Sequence, residues 1–143
     1  MKKLMLSAVV CASMLFAQVG HAQEVLFDDV DAANILLACS GGDAEVCLAA
    51  VNLVIEKLQA AGLSAASLNI QFASLASALA DVARDNPVAS VLLATSQALQ
   101  SVAKSSSDPA QQAAILTLAT SVSNGEVPDK TTVLASTTPI SGA

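Results

Sequence analysis

The stretch SLNIQFASLASALADV, residues 67–82, decides how this chain folds. Its large apolar residues, Leu68, Phe72, Leu75, Leu79 and Val82, recur at spacings of 4, 3, 4 and 3, the period of one helix face rather than of a strand. Such a stripe packs along a neighbouring helix at a shallow angle, so the segment predicts a helical bundle.

Working outward, residues suited to start a helix recur at near-equal intervals: Asp43, Ser64, Asn86 and Asp108, separated by 21, 22 and 22. Each side chain can accept hydrogen bonds from the free N–H groups of a first turn. Pro87 and Pro109 follow two of them, in the position where a missing N–H costs nothing. Stop signals fit the same frame: Gly62, the Asp85 to Pro87 junction, Ser105 to Ser107, and Asn124 with Gly125. An earlier helix is predicted from about Asp29 to Cys39, with Asp28, Asp29 and Asp31 at its positive dipole end and Gly41-Gly42 breaking it.

Periodicity assigns inward faces to the other helices. These are Cys47, Val51, Val54, Ile55 and Leu58 in the second; Val88, Val91, Leu92, Thr95, Leu99 and Val102 in the fourth; and Ile115, Leu118, Ala119 and Val122 in the fifth. Short connections make successive helices antiparallel. The expected fold is all-α, a small up-and-down bundle or layer of about five short helices spanning residues 23–125. No match between the 22-residue steps beyond caps and apolar periodicity supports a solenoid. Residues 126–143 carry Pro128, Pro139 and a run of Thr and Ser with no helical stripe, so a flexible C-terminal tail is expected. The sharper reading has Thr131 to Ala135 docking as a strand on the bundle or a partner.

The amino terminus carries an address. Lys2 and Lys3 precede the apolar run Leu4 to Val19, and Gly20 and Ala22 are small residues at positions -3 and -1 of a cut before Gln23, the pattern of a secretory signal peptide over residues 1–22. About sixteen apolar residues fall short of the roughly twenty needed to span a bilayer, so no stable membrane anchor is expected after cleavage. Val10 before Cys11 lacks the small side chain that a lipoprotein site requires. The expected location is periplasmic or extracellular.

Removing the leader would leave 121 residues with four basic and twelve acidic side chains, a net charge of -8. That balance disfavours nucleic acid and anionic membranes. His21, the only histidine, leaves with the leader, so the usual general base and commonest metal ligand are absent from the mature chain. Lys57 and Lys104 lie in no apolar run that would lower their pKa for Ser-Lys chemistry. Asp28, Asp29 and Asp31 lack the loop spacing of a calcium site. Gly41-Gly42 is followed by Asp43 and Glu45 rather than a lysine, which makes it a turn and not a phosphate cradle. No catalytic residue, metal or cofactor is therefore expected.

Two cysteines remain, Cys39 and Cys47, and an even pair in an exported chain predicts a disulfide. Ile70, Leu93 and Leu116 lie off the main stripes of their helices. They are either buried by helices contacted on two sides, or exposed as an apolar interaction surface, or lining of an internal cavity. The expectation is an exported helical protein without catalytic activity that acts by protein-protein interaction or self-assembly. The alternative is a carrier of an apolar small molecule inside the bundle.

Overall fold

Side-chain caps set most of the helix starts in the computed structural model, which describes residues 27–137. The carboxylate of Asp28 accepts from the Asp31 N–H and opens α1 (Asp29–Ser40). Asp43 accepts from the N–H groups of Glu45 and Val46 and opens α2 (Ala44–Ala60). Ser64 accepts from Ser67 and opens α3 (Ala65–Asp85), and Asp108 accepts from Gln111 and opens α5 (Pro109–Ser123), with Pro109 in its first turn. Each bond satisfies donors that the helix geometry leaves free.

Asn86 departs from that scheme. It ends α3 instead of opening α4: its backbone N–H and its side-chain Nδ2 both donate to the Val82 carbonyl, at 3.1 and 3.4 Å. A residue before proline is pushed out of the helical region, and Asn86 sits at φ -132°, ψ 71°. The fourth helix, α4 (Ala89–Ser105), therefore starts two residues beyond Pro87, with Val88 as an extended, exposed flanking residue that offers no side-chain cap.

Helix directions alternate, as short loops demand, but the neighbours are not those of a simple meander. Gly42 at the start of α2 lies against Ser90 at the start of α4, and Asn52 accepts from Ser101 at 2.7 Å, so α2 and α4 run parallel side by side. Phe27 donates its N–H to Gln71 at 2.8 Å, and Leu36 shares a cleft with Val82 and Asp85, so α1 and α3 also run parallel. The four helices form a square in the order α1, α2, α4, α3, and α2 and α3, consecutive in the chain, meet only across its diagonal. On this square α5 packs against α4 and α3.

The core follows the predicted stripes except at Val88, expected on the inward face of α4 but left outside that helix and exposed because Pro87 delays its start. Cys47, Val51, Val54, Ile55 and Leu58 are buried, as are Phe72, Leu75, Leu79 and Val82, while Leu68 is half-buried. Alanines 73, 76, 80, 83, 94, 98, 103 and 119 are buried beside them, letting helix backbones approach closely around one buried aromatic ring.

The carboxyl-terminal region is more ordered than its composition predicts. A sixth helix, α6 (Lys130–Thr137), lies where a flexible tail or docked strand was expected, and it packs against α3 and α5 with Val133 and Thr137 fully buried. Asp129 accepts from the Thr132 N–H and hydroxyl, both at 2.9 Å, and so caps its start. At its far end the Thr137 carbonyl accepts from Gln111 Nε2 at 2.6 Å. Helical signal is weak here because only two residues of α6 are buried and most of the others are Lys, Thr and Ser. Residues 138–143 of the expected tail, and all of the expected leader, lie outside the described residues.

Candidate interaction surface

Helices α1 and α2 form a hairpin tied at both ends. At the loop end Cys39 and Cys47 are joined by the predicted disulfide, with Cα atoms 4.3 Å apart and both residues fully buried. Closing a loop of this size removes about 2.5 kcal/mol of unfolded-chain entropy. At the open end Lys57 donates to Asp31 at 2.8 Å and lies 3.7 Å from Asp28. Its ammonium pKa is raised above the ordinary lysine value, first by the Asp31 hydrogen bond and then by the charges of Asp31 and Asp28. Asp28 is lowered, chiefly by the Asp31 N–H bound to its carboxylate, with Lys57 adding to the effect.

These two links fix the hairpin register. On α1 the inward face carries Asp31, Ile35 and Cys39, so Val30, Ala33 and Leu37 point outward at helical spacing. On α2 the inward stripe leaves Val46, Ala49 and Leu53 outward. With Cys39 opposite Cys47 and Asp31 opposite Lys57, the large side chains alternate along the hairpin in the order Val30, Leu53, Leu37, Val46. Successive levels are about four residues, or roughly 6 Å, apart. Leu37 is 78% exposed, Val30 and Leu53 are 67% exposed, and Val46 is 53% exposed. A continuous apolar strip therefore covers the outer face of the hairpin, where scattered single residues would need no explanation.

The residues singled out from the sequence behave differently. Ile70, Leu93 and Leu116 are exposed by 50%, 53% and 45%, so no second layer of helices buries them. Ile70 and Leu93 do not converge either. Asn69 accepts from Ser106 and Ser107, which places the start of α3 at the far end of α4 from Leu93. Thirteen helical residues separate those two levels, about 20 Å of helix axis.

Three surface clefts accompany these features. One of about 280 Å³ lies between the start of α1, the middle of α3 and α6; a smaller one of about 210 Å³ adjoins it; and one of about 380 Å³ lies between α2 and α4. None of the three runs between α3 and α4. Among the described residues no group of three or more His, Cys, Asp or Glu is placed to hold a metal ion, and no helix is long and apolar enough to cross a membrane. The chain matches no protein-family model, no curated protein and no solved structure.

The strip on α1 and α2 escaped sequence reasoning because α1 has apolar residues all round its axis. Val30, Ile35, Leu36 and Leu37 span the whole helical wheel, and only Ile35 is buried. Which side faces in is decided by where α2 and α3 lie. The one available signal was the adjacent cysteine, since Cys39 marks the inward line through Asp31 and Ile35.

Proposed function

We propose that the chain is exported, loses residues 1–22, and acts without catalysis by self-association through the outer face of the α1–α2 hairpin. The observation that carries this reading is the strip of Val30, Leu53, Leu37 and Val46, held in register by a disulfide and the Lys57–Asp31 ion pair. A flat face of two antiparallel helices is self-complementary about a two-fold axis. Two copies placed face to face with their hairpins antiparallel complete a four-helix layer.

Light scattering on eluting mature protein tests the proposal. A species of twice the chain mass at micromolar concentration is expected, and Leu37→Glu or Leu53→Glu should return it to the monomer while leaving the helical circular dichroism unchanged. A wild-type chain that stays monomeric at millimolar concentration overturns self-association. N-terminal sequencing of the exported protein tests the cut after Ala22.

A further inference from the structure

The turn that ends α5 places a nucleophile beside an electrophile. Asn124 and Gly125 are both exposed, and glycine carries no side chain to screen its backbone nitrogen from the asparagine amide. The other asparagines lack that combination. Asn34, Asn52 and Asn69 lie inside α1, α2 and α3 and are followed by Ile35, Leu53 and Ile70, whose side chains crowd the approach and whose N–H groups are bound within the helices. Asn86 is followed by Pro87, which has no N–H to lose.

The fold restrains the pair without removing it. Asn124 caps α5, and the chain turns left-handed at Gly125, with φ +78°. The Gly125 N–H donates to the Val122 carbonyl at 2.9 Å and the Glu126 N–H to the Ser121 carbonyl at 2.8 Å, the paired bonds of a helix that ends on glycine. At ψ -1° the backbone nitrogen of Asn124 eclipses that of Gly125, so the Asn124 Cβ stands about a third of a turn away around the Cα–C bond. Closing a ring between them needs Cβ and the Gly125 nitrogen eclipsed instead. Both bonds must therefore open first, and the exposed last turn of a helix is among the regions that open most readily.

We propose that Asn124 is a site of spontaneous modification to aspartate and isoaspartate, at a rate set by opening of the turn that ends α5. The Gly125 nitrogen gives its proton to a solvent base and attacks the Asn124 Cγ. The N–Cγ bond forms, the Cγ–Nδ2 bond breaks, and Nδ2 leaves as ammonia. Water then opens the cyclic imide at either carbonyl, which restores the backbone link as aspartate or leaves it running through Cγ as isoaspartate. One water is consumed and one ammonia released, with no change of oxidation state. Either product adds a carboxylate among the last carbonyls of α5, beside Glu126, where the final turn has no basic residue to offset it. Isoaspartate also lengthens the backbone by one carbon inside the two capping bonds. Modification loosens, in one direction only, the turn that leads into α6.

Peptide mapping of the protein after incubation at mildly alkaline pH tests the site. The tryptic peptide 105–130 holds Asn124 and no other asparagine. It is expected to gain one mass unit and to split into two chromatographic species, while peptides holding the other asparagines stay unchanged. Asn124→Gln should abolish the split and retain the wild-type circular dichroism. In guanidinium chloride the conversion should run roughly tenfold faster, the effect of about one hydrogen bond holding the turn closed. In aged protein the Glu126 amide should exchange with deuterium faster than in fresh protein. An equal rate at another asparagine, a folded rate equal to the unfolded one, no conversion in the folded protein while the unfolded chain converts completely, or a Glu126 amide equally protected after ageing would each overturn the proposal.

Discussion

Thr95 is fully buried on α4, and its hydroxyl finds no partner among the described residues. Valine has nearly the same shape and no polar atom to desolvate, so Thr95→Val should stabilise the fold by about 1 kcal/mol, read as a midpoint shift in chemical denaturation. Capping carboxylates respond to pH in a defined direction. Asp28 and Asp129 have pKa values below the ordinary 3.8, each held down first by a backbone N–H, from Asp31 and Thr132 respectively. Their contribution is complete above the unfolded value and is lost as pH falls through the lowered folded value. Below about pH 4 the starts of α1 and α6 should therefore fray first, visible as amide shift changes at Asp31 and Thr132 before the core resonances move. Lys57 has the opposite sign: its raised pKa adds stability that persists below the ordinary 10.5 and disappears as pH climbs through the folded value.

At the scale of elements, the two glycines between α1 and α2 are alike in sequence and unlike in role. Gly42 has φ +73°, and a Cβ there would lie 2.4 Å from the Ser90 Oγ and 2.9 Å from the Ser90 Cβ. Gly41 has φ -71° and open space around it. Gly42→Ala should cost about 2 kcal/mol, combining left-handed backbone strain with a clash at the start of α4, whereas Gly41→Ala should be neutral or stabilise by a few tenths. Paired denaturation curves of the two variants give the contrast directly. The same limit explains what was legible. Asp43, Ser64 and Asp108 are read correctly as caps because capping is local chemistry, and the stripes of α2, α3 and α5 are read correctly because a helix period is local geometry. Asn86 is misread because the proline after it outweighs its capping preference. Helix α6 is missed because Val133 and Thr137 acquire meaning only against α3 and α5. The diagonal step from α2 to α3, and with it the outward face of the hairpin, follows from which helices attract each other across the core, information that no single helix carries.

For the molecule as a whole, polar contacts hold one end of the bundle. Asn69 accepts from Ser106 and Ser107, and Gln111 donates through Nε2 both to the Asn69 carbonyl and to the Thr137 carbonyl, each at 2.6 Å. This buried cluster ties the start of α3, the α4–α5 turn and the end of α6 in one place, and such networks hold a fold to one geometry when every member is satisfied. The disulfide at the opposite end of the bundle, and the Lys57 bridge at this one, perform the same task for the hairpin. In between, α3 touches every other helix, and more of its residues are buried than in any other element. Local openings can release α6, or the outer hairpin as far as its covalent link allows, without disturbing the rest, but none can release α3 without dissolving everything packed on it. Its amides should therefore be the slowest in the protein to exchange with deuterium, and their exchange free energy should equal that of global unfolding. The segment whose periodicity predicts the bundle is thus also the clock by which the whole molecule opens.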